Sequence, residues 1–371
     1  MSFDLHLARK PTNPVLLLHD LAERCVELGI NRSDVYGDNT LDSSSSWLRK
    51  FEKEVCEYLC MQDAVFLPSG VMAQNIVLAV SAEASDSKSF VCHYSSHLLI
   101  HEKNAYERLL KLDALVVPPN EGAMSQQPFS FSDLTEIVDK YPSAKPSVVF
   151  IECPHREIGG KITSWEDLVQ MSSFCRSNKI RIHMDGARLW EASAAYSKPL
   201  SELCSLFDSI YVSFYKGLGG ITGAMLLGTT SFIDESRVWL RRFGGNVFSL
   251  LPYAVSAWHG FRENKDLFTA RKNCMVAVVS AVTENVLVPS CDANKPDSWL
   301  VRFDPPVPTV SLIHVYLNAD VVTATAAVND AAARSGIRCC AMVRAGNHGA
   351  VGQSYFEFNM VRFSAYFPVL L

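Results

Sequence analysis

Residues Lys179 to Leu189 read Lys-Ile-Arg-Ile-His-Met-Asp-Gly-Ala-Arg-Leu. Polar and apolar residues alternate as far as Asp185, the period of a strand that sends successive side chains to opposite faces. The strand ends on a carboxylate, Gly186 breaks it, and Arg188 opens the segment that follows. Ligands of α/β sheets sit beyond the carboxyl ends of the strands, so Asp185 and Arg188 stand where a ligand would be met. Taken alone, the same pair is also what a structural ion pair or a helix cap looks like.

Two further junctions have the same form. Lys216 follows the apolar run Val212-Ser213-Phe214-Tyr215 and precedes Gly217-Leu218-Gly219-Gly220. A lysine in such surroundings loses hydration, which lowers its pKa and makes its amine a nucleophile toward carbonyls. The competing reading is a lysine whose head group reaches solvent from a strand end. Upstream, Phe66-Leu67-Pro68-Ser69-Gly70-Val71-Met72-Ala73 reads as strand, small-residue turn and helix start. Free N–H groups and the helix dipole there suit a phosphate, although Ser-Gly is also an ordinary cap.

Around these junctions, strand and helix patterns alternate. Strands are expected at 64–67, 90–93, 114–117, 147–152, 179–185 and 209–214, with helices at 14–30, 47–59, 70–80 and 165–178. Such alternation predicts a mostly parallel sheet covered by helices on both faces. The pattern weakens after about Gly260; a helix at 268–286, a strand at 310–317 and a helix at 319–335 suggest a smaller α+β C-terminal domain. The expected division is an N-terminal helical segment 1–30, a large α/β domain 31–260 and a small domain 261–371.

Composition limits the function classes. The 371 residues are 48% hydrophobic and 20% charged, with 34 Lys+Arg against 39 Asp+Glu and a net charge of −5, which argues against nucleic acid as the main partner. No apolar stretch reaches the roughly 18 residues of a membrane span, and the N-terminus lacks the pattern of a signal peptide. Eleven scattered cysteines without a Cys-x-x-Cys pair predict reduced thiols in a cytoplasmic protein and no zinc site. His101-Glu102 lacks the second histidine of a zinc-protease motif.

A Schiff-base lysine, a carboxylate and a phosphate-binding turn at three strand ends are the parts that pyridoxal phosphate needs. LPSGVMAQN, IECPHREIGGKI, HMDGARLWEA and SFYKGLGGITGAML together resemble the β-eliminating lyase and low-specificity threonine aldolase group of fold-type I (aspartate aminotransferase-like) pyridoxal-phosphate enzymes, over about Asp34 to Trp258. The resemblance implies Lys216 as the Schiff-base lysine and Asp185 as the partner of the pyridine nitrogen. It implies Arg188 near the phenolic oxygen and the substrate carboxylate, and Ser69, Gly70 and Val71 around the phosphate. His97 matches the histidine stacked on the ring, also a candidate base; Glu152 and His155 match further pocket positions. Arg241 or Arg242 is implied at a phosphate or substrate group, and Tyr36 in the neighbouring subunit's site.

Departures lie where substrate choice is made. Val71 stands where a threonine is common, Tyr215 where a small residue is usual, and Arg32-Ser33-Asp34 only echoes the family's Arg-Ser-Asp-Thr. Arg338, Arg344 and Arg362 are candidates for the C-terminal arginine that grips the substrate carboxylate. The activity implied is cleavage of a β-hydroxy-α-amino acid such as L-threonine or L-allo-threonine to glycine and acetaldehyde, in a homodimer or homotetramer. Alternatives are β-elimination or transamination of a small amino acid, or a scaffold that has lost catalysis.

Overall fold

The computed structural model describes residues 3–4, 13–38, 46–120, 125–285, 299–346 and 353–360. Its centre is a seven-stranded sheet: β1 Asp63–Leu67, β2 Ser89–His93, β3 Asp113–Val117, β4 Val148–Glu152, β5 Arg181–Gly186, β6 Ser209–Ser213 and β7 Ala224–Gly228. The spatial order is β1-β7-β6-β5-β4-β2-β3. Every pairing is parallel except the two made by β7, which runs antiparallel to β1 and β6.

Alternate strand residues feed two separate cores. Ala64, Phe66, Ile182, Met184, Ile210 and Val212 pack into one; Val65, Leu67, Tyr211, Ala224 and Leu226 pack into the other. Both faces are therefore buried, as the crossover helices of a parallel sheet require. Those helices are cut by local chemistry. Helix Trp47–Leu59 starts where Ser46 Oγ accepts from Arg49 N at 3.1 Å, and stops at Cys60, which turns left-handed at φ 54°. Helix Trp165–Asn178 is capped by Ser164 and stops at Lys179 in the same conformation, φ 55°.

Past the large sheet, Val301–Asp304, Leu312–Leu317, Ser354–Asn359 and the short Arg344–Ala345 form a four-stranded antiparallel sheet. It packs with helix Phe268–Asn285 around Met275, Val279, Ile313 and Phe358. One expectation changes: the helix expected at 14–30 covers Pro14–Glu27 and buries only Leu21, its Leu18 being 65% exposed. His93 ends β2, and the next helix begins at His97.

Candidate active site

The carboxyl ends of β2, β4, β5 and β6 lie side by side, and the motif residues follow from them. Glu152 and Asp185 are register partners on adjacent parallel strands, and Asp185 faces Tyr211 on the next. Gly186 lets β5 turn there: a Cβ would lie 2.7 Å from the Tyr211 carbonyl oxygen. Lys216 comes three residues after β6 ends. Its loop is held by Arg271, which donates to the Gly217 carbonyl at 2.7 Å, and by Thr222, which donates to the Pro68 carbonyl at 3.0 Å. The second bond ties the lysine loop to the turn of Ser69 and Gly70.

The charges of this cluster shift one another. Burial pulls Lys216 down to about 8, and the Arg188 guanidinium adds to the effect, opposed by Asp185 and Glu152. Asp185 is raised above its ordinary range by burial first and by Glu152 second, while Lys216 opposes. Its Oδ1 accepts from Ala187 N at 3.1 Å and its Oδ2 from the Gln74 amide. His97 Nδ1 lies 2.9 Å from Glu102 Oε1. Burial alone would lower His97, but the Glu102 bond and the charge of Asp185 more than offset it, and its pKa is raised.

The phosphate turn is built on a helix start. Ser69 Oγ accepts from Met72 N at 3.3 Å and caps helix Gly70–Ser85, leaving the first-turn N–H groups outward. Gly70 is required by packing, since a Cβ would lie 2.0 Å from Tyr211 Oη. Val71 is 40% exposed and adds only its backbone. His155 is buried, with Nε2 3.0 Å from Ser95 Oγ and 3.7 Å from Glu152 Oε2.

Two expected substrate residues make other contacts. Arg242 stacks on Trp239 and faces Glu83 at 3.5 Å. Tyr36 packs edge-on against Phe248 beneath the Arg241 guanidinium. Among the described residues, neither pairs with the Lys216 cluster. Arg338 lies in a two-residue pairing with Phe3–Asp4, Arg344 at the edge of the small sheet, and Arg362 outside the described residues.

Some residues escaped sequence reasoning. Glu357, from the small sheet, lies 2.6 Å from Arg156 and 3.6 Å from Arg188. No sequence signal marks it, because its place depends on how the small sheet docks. Gln74 was findable: it is a polar residue one turn after Gly70 in an apolar helix.

The set fits pyridoxal phosphate. Among the described residues, the buried oxygens Gln74 Oε1, Glu102 Oε2 and Glu152 Oε2 have no hydrogen-bond donor. Unpaired buried acceptors are costly, and the amine of a bound amino acid and the groups of a cofactor would supply what they lack. A depressed lysine, a basic carboxylate and a helix start closed to any Cβ complete the donor and acceptor set.

The family model of the β-eliminating lyases matches residues 31–295. The low-specificity L-threonine aldolase of Candida albicans is 31% identical over 230 residues, 62% of this chain and 60% of that protein. Across the first three curated relatives, the chain spans only 51% to 60% of their length. A solved structure of a candidate L-allo-threonine aldolase from Listeria monocytogenes superposes with a TM-score of 0.80 at 31% identity, covering 96% of this chain and 90% of that one. Serine palmitoyltransferase of Sphingomonas wittichii, 13% identical with a TM-score of 0.64, covers 98% of this chain and 84% of its own, and shares the fold.

Proposed function

We propose, for a chain that belongs to the β-eliminating lyase family, that it is a pyridoxal-phosphate-dependent lyase cleaving β-hydroxy-α-amino acids. L-Threonine or L-allo-threonine would yield glycine and acetaldehyde. The observation that carries the reading is the half-buried Lys216 just past a strand end, pulled down to about 8 by desolvation and by the Arg188 guanidinium, with Asp185 as the opposing charge.

In this assignment Lys216 takes the cofactor's aldehyde carbon, Asp185 its ring nitrogen, and the N–H groups of Gly70 and Val71, with Ser69, its phosphate. Glu152 lies beside Asp185, and His97 covers the ring. When bound, the group supplies an electron-accepting ring conjugated to the substrate Cα. Arg188 orients the substrate through its carboxylate, with Glu357 as the counter-ion already present at that guanidinium. Glu102 fixes His97 by accepting at Nδ1, which frees Nε2 to take the β-hydroxyl proton as the Cα–Cβ bond breaks. His155 lies at the Glu152 end of the pocket and contacts the substrate.

The same proposal includes the division into segment 1–30, domain 31–260 and domain 261–371, and a cytoplasmic homodimer or homotetramer. Supporting a second copy, helix Pro14–Glu27 carries Val15, Leu16, Leu18 and Val26 on the outside, 59% to 82% exposed. Tyr36 and Arg242 would then act across the boundary. For the compartment, the ten cysteines among the described residues are free thiols, and no described helix is long and apolar enough to cross a membrane.

Product analysis tests the reaction. The holoenzyme with L-threonine or L-allo-threonine should give glycine and acetaldehyde in equal amounts. A 2-oxo acid with ammonia would instead establish elimination and overturn the aldol reading.

A further inference from the structure

A buried run of hydrogen bonds stands behind His155. The turn after β2 places Ser95 between two imidazoles, its Oγ 2.9 Å from His93 Nδ1 and 3.0 Å from His155 Nε2. All three residues are buried, and the two rings meet edge to face at 4.8 Å.

The direction of these bonds follows from the backbone. Ser95 N–H donates to His93 Nδ1 at 3.3 Å, so that nitrogen holds a lone pair and its ring carries the proton on Nε2. His93 makes a further bond to the backbone of Gln127, and burial together with His155 holds it down to about 3, a neutral ring. The Ser95 hydroxyl therefore donates to His93 Nδ1 and turns its lone pairs to His155. The Ser95 carbonyl oxygen, an acceptor only, is also 3.4 Å from His155 Nε2. Both near neighbours of His155 Nε2 accept, so that nitrogen carries a proton.

We propose that Ser95 and His93 are positioning residues that hold His155 with its proton on Nε2, a hydrogen-bond donor at the Glu152 end of the pocket. Glu152 Oε2, 3.7 Å away and without a donor, is the acceptor this proton faces beside Ser95. The two pocket histidines are thereby given opposite duties. His97 presents an unprotonated Nε2 and takes the proton; His155 presents a protonated one and binds. This division rests on the reading above that places His155 against the substrate.

The test is the tautomer itself, read by 15N NMR of histidine-labelled full-length protein, with and without cofactor, and assigned by loss of the His155 signals in His155→Gln. Wild type should show His155 protonated on Nε2. In His93→Phe the Ser95 hydroxyl loses its acceptor and turns to His155 Nε2, so the His155 proton should move to Nδ1. Turnover of a β-hydroxy amino acid should then fall by up to about 10²-fold while the cofactor's visible spectrum is unchanged, the scale of a misplaced reacting group. Ser95→Thr keeps the hydroxyl and should keep both tautomer and turnover; Ser95→Ala should lower turnover. Wild-type His155 protonated on Nδ1, or a His93→Phe protein with unchanged tautomer and turnover, would overturn the proposal. A tautomer that moves as expected in a protein inert toward β-hydroxy amino acids would overturn the aldol reading and still support the relay.

Discussion

At the scale of single residues, Lys216 has the lowered pKa that one of the two readings of its sequence neighbours expected. An ammonium between bulky residues and glycines loses water, and the structure adds Arg188 as a second cause of its low pKa. An amine that ordinarily titrates at 10.5 is here neutral in half the molecules near pH 8. Capture of pyridoxal phosphate by the apoprotein should therefore accelerate as pH rises through about 8 and level off well below 10.5. A stopped-flow rate that keeps rising to pH 10 would place Lys216 in an ordinary, hydrated site. Asp185 and Arg188 were legible for the same reason as Lys216, each sitting at a strand end within a few residues of a glycine. Ser95 and Glu357 were not read, because each acquires its role from a partner 60 or more than 160 residues away in the chain.

At the scale of elements, Trp47–Leu59 and Trp165–Asn178 were read end to end, whereas the helices expected at 14–30 and 70–80 cover Pro14–Glu27 and Gly70–Ser85. Strand β7 was missed. Its five residues, Ala-Met-Leu-Leu-Gly, are all buried and show no alternation, and the glycines before it read as loop. Its antiparallel course is what brings β1, and with it the Ser69–Gly70 turn, to the edge of the sheet beyond Lys216. That junction is pinned by a buried carboxylate. Glu52, 1% exposed, accepts from Phe66 N at 2.7 Å and from Arg237 at 2.9 Å, and also pairs with Arg49. Glu52→Ala removes one carboxylate from two guanidiniums and a strand N–H. It should cost about 3 kcal/mol, the lower end for breaking a buried pair. Thermal and urea unfolding measure this; a loss under about 1 kcal/mol would show that the network does not hold β1 in place.

At the scale of the whole molecule, one edge of one sheet gathers residues from four strand ends and a helix start, and the small sheet contributes Glu357 at its rim. The parallel sheet and its two cores were legible because strand and helix periods alternate over two hundred residues. Of the four-stranded sheet only Leu312–Leu317 was legible: Ser354–Asn359 pairs with it from 37 or more residues away, and Val301–Asp304, 10 to 16 residues from its partners, is too short to show a strand period. These strand ends are assigned to pyridoxal phosphate, held through Lys216. The most direct measurement is the visible absorption spectrum of wild type and Lys216→Ala after incubation with pyridoxal phosphate and desalting. Wild type should retain a yellow band and Lys216→Ala should show none. The same band in both proteins, or in neither, would contradict the assignment.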